Sequence, residues 1–140
     1  MNILNLFETK VGEILDNTPS KTGNQLKPRL LSIESGKLVT EIEITPAMSN
    51  PLGTAHGGFI ALIADEMIGW TISTLNMPEP FPTINLNIDY LYPISIGEKL
   101  CVDTEITRKG NTIIHTECRM YDSNKKLLAK ACSNNIKLKK

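Results

Sequence analysis

The sequence lacks several features that would mark a binder of nucleic acid, nucleotide phosphate or metal. Its 15 basic and 15 acidic residues cancel, whereas nucleic-acid-binding domains usually carry a basic excess. It has no Gly-rich phosphate loop of the Walker type. The two histidines, His56 and His115, have no partners at metal-ligand spacing. We therefore expect no nucleic-acid partner and no metal.

Paired cysteines and a secretory signal are also missing. The three cysteines are an odd number without a disulfide pattern, and all fall in predicted strands, where buried free thiols are common. Met1 to Leu15 contains Glu8 and Glu13 and no long apolar run. These features predict a reducing, cytoplasmic setting. Residues 1–140 are interpreted as one domain, since this length suits a single core.

One long apolar segment stands out against this background. Residues 57–75 are predicted to form a helix that is apolar around nearly its whole circumference, which is typical of a buried helix. Two adjacent carboxylates, Asp65 and Glu66, interrupt its middle. A membrane span is disfavoured because each carboxylate at a membrane helix centre costs about 2.5–3.5 kcal/mol. Charge within a buried helix is therefore the main functional clue.

The start of this helix is suited to binding an electron-rich oxygen. Its first N–H groups have no partners within the helix and lie at the positive end of its dipole. Gly57 and Gly58 leave these donors uncovered, so a substrate oxygen can approach them. Two interpretations stay open here: Asp65 and Glu66 are structural charges, or one of them is a catalytic carboxylate.

Hydrophobic alternation predicts strands before and after this helix. One long helix within a run of antiparallel strands is an α+β pattern, in which a curved sheet wraps around the helix. The remaining predicted elements are an N-terminal amphipathic helix at 2–16, a loop at 17–24, strands at 30–33, 38–45, 84–92, 98–109, 112–122 and 126–138, and a helix end set by Pro78, Pro80 and Pro82.

The residues around the helix start resemble a known family. They read Asn50-x-x-Gly53-x-x-His56-Gly57-Gly58, followed by Ala61, Ala64 and Asp65. This pattern is similar to that of the hotdog-fold acyl-CoA thioesterases of the phenylacetate-pathway and human thioesterase-superfamily-member type. The resemblance covers roughly residues 35–135, including the strand that closes at Pro93. It implies a hotdog fold, hydrolysis of acyl-CoA thioesters, and no cofactor, since CoA is part of the substrate.

The resemblance also implies roles for individual residues. Asp65 would act as general base on water or as nucleophile, and the Gly57 N–H would stabilise the oxyanion. Asn50 would orient the thioester or the water. His56 would hold the loop and helix start in place, or support the substrate carbonyl. Thr83 falls where the family often has a serine that positions the attacking water, and threonine keeps the hydroxyl.

Spacing along the helix predicts a site shared between subunits. Gly57 and Asp65 are eight residues apart, hence about 12 Å along the axis, while reacting atoms must approach within about 3–3.5 Å. If both serve one reaction, Asp65 of one subunit faces Gly57 of another in a two-fold dimer. The resemblance implies the same interface site, with dimers commonly paired into homotetramers. Glu66 is the rival carboxylate, turned by about 100° from Asp65.

Two substrate-binding regions are expected. Arg108, Lys109 and Gly110, at a predicted turn between long strands, would contact the anionic nucleotide end of CoA, as similar turns do in this family; an ordinary solvated hairpin is the alternative. A further set of residues would line an apolar tunnel for the acyl group or belong to the core: Met67, Ile68, Trp70, Met77 and Phe81.

Two other functions stay open. A hotdog dehydratase that acts on hydroxyacyl thioesters pairs a catalytic histidine with an acidic helix residue, as His56 with Asp65 or Glu66 would. A non-catalytic acyl-CoA sensor on the same scaffold is the alternative outside the enzymes, since a fold does not determine function. The pattern from Asn50 to Gly58 favours the thioesterase.

Overall fold

The computed structural model describes residues 3–139 and contains three helices, six strands and a short 3-10 turn in that part of the chain. In chain order these elements are α1 (Ile3–Glu8), α2 (Lys21–Gln25), β1 (Arg29–Glu34), β2 (Lys37–Glu43), the 3-10 turn (Pro46–Met48), α3 (Gly57–Ser73), β3 (Thr83–Tyr90), β4 (Lys99–Lys109), β5 (Ile113–Tyr121) and β6 (Leu127–Ile136).

The six strands form one antiparallel sheet in the order β1-β2-β4-β5-β6-β3. Helix α3 packs against β2, β4 and β5 in the middle of the sheet and against β3 at its edge. A single sheet can touch the helix at so many strands because it twists and curves around it. The predicted α+β hotdog arrangement is therefore confirmed.

The core lies between α3 and the concave side of the sheet. Ile63, Met67 and Ile68 of the helix are fully buried. In β2, alternate residues from Leu38 onward point inward, which matches the period of two in the sequence. The buried Thr40 hydroxyl donates to the Met67 sulfur at 3.3 Å. Burying these apolar side chains stabilises the fold by about 1.5–3 kcal/mol for each one.

The N-terminal residues depart from the predicted helix at 2–16. Helix α1 ends at Glu8, and residue 2 lies outside the described residues. Gly12 has φ +92°, a left-handed conformation that glycine adopts without strain, and its N–H donates to the Leu30 carbonyl at 2.7 Å. The chain therefore turns and follows β1. Phe7 and Leu15 are buried, which accounts for the helix-like apolar spacing.

The predicted loop at 17–24 is also wrong in part, because it contains the start of α2. Ser20 caps that helix by accepting a hydrogen bond from the Gly23 N–H at 3.1 Å. Helix α3 ends at Ser73, earlier than predicted, and Asn76 with φ +51° follows before Pro78 is reached. The prolines therefore do not end the helix. The predicted strand ends lie within two residues of the observed ones.

The three cysteines are free thiols in the described part of the chain, and Cys118 is buried. Burial raises the pKa of the Cys118 thiol to about 12, so this thiol stays protonated at neutral pH. Burial and the nearby Asp103 carboxylate raise the pKa of Cys101 as well. None of the helices among these residues is both long and apolar enough to cross a membrane.

Candidate active site

Helix α3 begins at Gly57, and His56 is its N-cap. His56 Nδ1 accepts a hydrogen bond from the Gly58 N–H at 2.8 Å. The His56 backbone N–H donates to the Met48 carbonyl at 2.7 Å. Within residues 3–139, no group accepts a hydrogen bond from the Gly57 N–H. The cap therefore fixes the helix start and leaves one backbone donor open at its positive end.

Asn50 braces the loop that leads to this cap. Its Oδ1 accepts hydrogen bonds from the N–H groups of Leu52 at 2.9 Å and Thr54 at 3.1 Å. Its Nδ2 donates to the Thr54 hydroxyl at 2.8 Å. Gly53, with φ +79°, completes the turn. In this chain the polar groups of the Asn50 side chain are engaged with the loop that carries His56.

Asp65 lies on the exposed side of α3 and contacts Thr83 at the start of β3. The Thr83 hydroxyl donates to Asp65 Oδ1 at 3.2 Å. No ion pair to Asp65 is formed by any residue between 3 and 139. Its second oxygen, Oδ2, is therefore available to a water or a substrate carbon. The structure thus brings together two of the predicted site residues, Asp65 and Thr83.

Strand β3 also contacts the other end of the site through Tyr90, which the sequence reasoning missed. The Tyr90 hydroxyl donates to the Gly57 carbonyl at 2.8 Å. The strand pattern placed Tyr90 on the same face as Leu86 and Ile88 but gave no sign of its helix partner. One strand therefore contacts α3 at both candidate residues, with Thr83 at Asp65 and Tyr90 at Gly57.

Glu66 faces in another direction and serves the packing of the N-terminal segment. Its Oε2 accepts hydrogen bonds from the Ser20 hydroxyl at 2.8 Å and from the Trp70 indole N–H at 3.2 Å. Gly23 of α2 packs closely on Glu66 and Trp70. A Cβ added at Gly23 would lie 2.7 Å from Glu66 Oε2. The structural interpretation therefore applies to Glu66, which attaches α2 to α3.

The predicted nucleotide-binding turn lies at one end of the sheet. Arg108 and Lys109 are the last two residues of β4, and residues 110–112 connect β4 to β5. The Gly110 N–H donates to the Ile113 carbonyl at 2.8 Å. In the same turn, the Thr112 carbonyl accepts from the Lys137 N–H at 2.8 Å. The exposed side chains of Arg108 and Lys109 form no ion pair with residues 3–139. Because it bonds Lys137, the turn lies beside the end of β6 that pairs with Thr83.

A groove lies along α3, one helical turn beyond Asp65, and it is apolar beside Phe7 and Trp70 but includes polar side chains at Asn76 and Glu79. Gly69 and Ser73 border two adjoining cavities of about 400 Å³ and 360 Å³. Among the residues predicted to line an acyl tunnel, Trp70 borders one cavity, and Met77 and Phe81 border the other. Met67 and Ile68 are fully buried instead, so the core interpretation holds for these two.

Metal ligands are not gathered anywhere between residues 3 and 139, where no three His, Cys, Asp or Glu side chains form a candidate site. His115 lies on β5, and its Nδ1 is 2.8 Å from the Asn134 side-chain oxygen. It is therefore part of the sheet's own hydrogen bonding.

A curved antiparallel sheet around one long helix defines a hotdog fold. A family model described as the thioesterase superfamily matches residues 52–129, more than half of the chain. This protein belongs to the thioesterase superfamily. The resemblance identified from the residues around Asn50 and Asp65 is confirmed.

Individual relatives agree with this assignment. Acyl-coenzyme A thioesterase 13 of Mus musculus is 30% identical over 87 residues, which are 62% of each chain. The match thus spans less than two-thirds of that curated relative's length. The structure of mouse thioesterase superfamily member 2 shares the fold, with a TM-score of 0.78, 23% identity and coverage of 96% of this chain and 94% of that one. A Streptococcus mutans protein solved bound to acetyl CoA has a TM-score of 0.74, 26% identity and coverage of 81% and 90%.

Replacement of Glu66 by alanine is expected to destabilise the protein, because it leaves the Trp70 N–H and the Ser20 hydroxyl without their shared acceptor. The free energy of unfolding should fall by about 1–3 kcal/mol, measured by urea denaturation at one fixed protein concentration. Asp65→Ala is the matched control, since it removes a neighbouring carboxylate that bonds an exposed hydroxyl. An equal loss in both variants would contradict the structural role assigned to Glu66.

Proposed function

We propose that this protein hydrolyses acyl-CoA thioesters to a free acid and CoA at a site shared between two subunits. The proposal rests on the presence of two groups on α3: the open N–H of Gly57 and the exposed carboxylate of Asp65, which Thr83 contacts. Membership of the thioesterase superfamily supports a thioester substrate. The relatives support its CoA part, since one is named an acyl-coenzyme A thioesterase and another was solved bound to acetyl CoA.

A second subunit is needed because the two groups lie about 12 Å apart along α3. In α3, the exposed residues are Gly58, Asp65 and Gly69, which form a single stripe along the helix. Small residues on both sides of Asp65 allow another helix to approach closely. A two-fold axis across this stripe would place Asp65 of each subunit opposite Gly57 of the other and create two equivalent sites.

The free edge of the sheet supports the same assembly. In the described sheet β3 pairs with β6 alone, and its Ile84 and Tyr90 side chains are 53% and 55% exposed. An unpaired edge strand with apolar side chains favours pairing with another chain. We expect a homodimer as the smallest active unit and, by the family resemblance, a homotetramer.

The proposed reaction follows from the chemistry of these groups. The Gly57 N–H donates to the thioester oxygen, which gains negative charge as the carbonyl carbon becomes tetrahedral. Asp65 of the other subunit takes a proton from water while that water attacks the carbon. The carbon–sulfur bond then breaks, and the CoA thiolate leaves and is protonated. Alternatively, Asp65 attacks the carbon itself, the carbon–sulfur bond breaks with loss of the CoA thiolate, and water hydrolyses the resulting anhydride to the free acid and the Asp65 carboxylate.

The two ends of the substrate would bind on opposite sides of the reacting carbon. Arg108 and Lys109 supply cations for the nucleotide phosphates, and the Gly110 backbone lies beside them. The acyl chain would follow α3 from Asp65 into the groove at Gly69. The apolar part of this groove, beside Phe7 and Trp70, favours a hydrocarbon chain over a polar acyl group.

The position of His56 argues against the dehydratase alternative. A dehydratase would use the histidine as a base, but His56 Nδ1 already accepts a hydrogen bond from the Gly58 N–H. This bond keeps the proton of the neutral ring on Nε2. His56 would therefore hold the loop and the helix start in place, together with the hydrogen bonds that the Asn50 side chain makes within the loop.

Asp65→Asn is expected to remove most thioester hydrolysis, because an amide cannot accept the proton of the attacking water. The kcat should fall by about 10²–10⁴-fold. The measurement is thiol release from acetyl-, hexanoyl-, palmitoyl-, phenylacetyl- and hydroxybenzoyl-CoA by the parent and the folded variant. Full turnover in the variant would remove Asp65 from this role. Binding of acyl-CoA without turnover by the parent would select the sensor, and an unsaturated product from hydroxyacyl-CoA would select the dehydratase.

Gly57→Pro is expected to remove the oxyanion donor and little else. Proline lacks the N–H but suits the first position of a helix, and His56 before it already has an extended conformation. The kcat should fall by about 10²–10³-fold. Gly57→Ala is the matched control, because it places the same Cβ 3.3 Å from the Tyr90 hydroxyl and keeps the donor. Equal losses in both variants would contradict the donor role.

The same two variants test the shared site. Hybrid dimers of Asp65→Asn and Gly57→Pro subunits would contain one site with both groups intact. The unfractionated co-expression mixture should show about a quarter of the parent activity, since half of the dimers are hybrids with one intact site of two. Hybrids purified through two different affinity tags should show about half of the parent activity. Purified hybrids without any recovered activity would place the whole site within one subunit.

Gly69→Leu is expected to restrict the enzyme to substrates with shorter acyl chains. Within one subunit a Cβ at Gly69 meets no atom within 4 Å, so the larger side chain can enter the groove. Because Gly69 also lies on the proposed contact between helices, gel filtration must show that the variant keeps the oligomeric state of the parent. The kcat/KM for palmitoyl-CoA should fall by about tenfold or more relative to acetyl-CoA. Gly69→Ala is the control, with an unchanged chain-length profile and a helix stabilised by about 0.5–1 kcal/mol. An equal effect of leucine on all chain lengths would place the acyl chain elsewhere.

A further inference from the structure

Two buried polar residues of β6 lie beneath the start of β3. Asn135 and Ser133 are 2% and 1% exposed. The Ser133 hydroxyl donates to Asn135 Oδ1 at 2.9 Å. Asn135 Nδ2 donates to the Phe81 carbonyl at 2.8 Å and to the Thr83 hydroxyl oxygen at 3.3 Å. Buried polar groups are unfavourable unless they are paired. Both the oxygen and the nitrogen of the Asn135 amide are paired here.

The direction of each hydrogen bond in this set is determined by its chemistry. The Phe81 carbonyl can only accept, so the nitrogen of the Asn135 amide must face Phe81 and Thr83. The Thr83 oxygen accepts from that nitrogen and has one hydrogen of its own. Asp65 Oδ1 lies 3.2 Å away and accepts it. The bonds therefore run in one direction, from Ser133 through Asn135 and Thr83 to Asp65.

The backbone at this point supports the same alignment. Thr83 pairs with Asn135 across β3 and β6, and the register shifts between Thr83 and Asn85. Such an irregularity in a sheet bends the strand and redirects a side chain, and it is common next to active sites. In this protein the register shift lies next to Thr83, whose side chain reaches Asp65 on α3.

We propose that Asn135, oriented by Ser133, is a positioning residue that acts through Thr83 to hold its hydroxyl on Asp65, and this rests on the proposed hydrolysis. Asn135 is too deeply buried to touch a substrate. Its bond to Thr83 occupies a lone pair of the hydroxyl and leaves Asp65 Oδ1 as the acceptor of the single hydrogen. Asp65 Oδ2 is then directed at the water or the thioester carbon.

The test is a double-mutant cycle on kcat and KM for the best acyl-CoA substrate. Asn135→Leu should lower kcat by about 10–100-fold, as expected for a misdirected catalytic group, with little change in KM. In the Thr83→Val background, which has no hydroxyl to orient, Asn135→Leu should lower kcat no further. Ser133→Ala is the milder second variant and should show a smaller loss with the same dependence on Thr83.

Asn134→Ala is the matched control, because Asn134 lies on the same strand and also bonds β3, through Asn85, but not the set that reaches Asp65. Its kcat should equal that of the parent. An equal kcat loss from Asn135→Leu in both Thr83 backgrounds would overturn the proposal and leave Asn135 a structural residue.

A measurement that needs no turnover separates this proposal from the proposed function. Three-bond NMR couplings should report one χ1 rotamer for Thr83 in the parent and averaged rotamers in Asn135→Leu. An unchanged single rotamer in that variant would overturn the positioning role. Absence of hydrolysis in the parent would instead overturn the proposed function, while the rotamer result would still decide what Asn135 does to Thr83.

Discussion

The structure depends on the burial of one apolar helix, α3, which leaves a single stripe of that helix exposed. The sheet curves around α3, and the helix residues left exposed are Gly58, Asp65 and Gly69. Because a helix turns about 100° per residue, Asp65 and Glu66 cannot share that exposed stripe. Glu66 instead meets the N-terminal segment at Ser20, and Asp65 is directed outward. The division of the two carboxylates into a structural one and an exposed one thus follows from the burial of the helix.

Helix length then sets what a single subunit can do. The open N–H at Gly57 and the carboxylate of Asp65 lie too far apart for one carbon to reach both, so the proposed chemistry requires assembly. Strand β3 contributes to both requirements. Its Thr83 and Tyr90 hydroxyls contact α3 at Asp65 and at Gly57, while its free edge is available to another chain. The element that fixes the site within one subunit is therefore also suited to complete it between two.

Much of this arrangement could be predicted from local pattern, and the rest depends on contacts distant in sequence. The apolar run after Gly58 predicts α3, and alternation predicts the strands, because both periods are short-range properties. The bond of Glu66 to Ser20 joins residues 46 positions apart, and that of Asn135 to Thr83 joins residues 52 apart, so no local period reports them. At the N-terminus, Phe7 and Leu15 have helical spacing although Gly12 turns the chain between them.

The two halves of the candidate site are held in different ways. The Gly57 donor belongs to the backbone and is fixed by the helix and the His56 cap, so its aim does not depend on a side-chain rotamer. The Asp65 half depends on side chains, and the extra methyl of Thr83, relative to serine, left the aim of its hydroxyl open in the sequence. A β-branched side chain is stiffer about χ1, and Asn135 Nδ2 donates to one lone pair of the Thr83 hydroxyl. The methyl therefore limits the rotamers of Thr83, and in the positioning role proposed for Asn135 the buried amide behind it leaves Asp65 as the acceptor of the hydroxyl hydrogen.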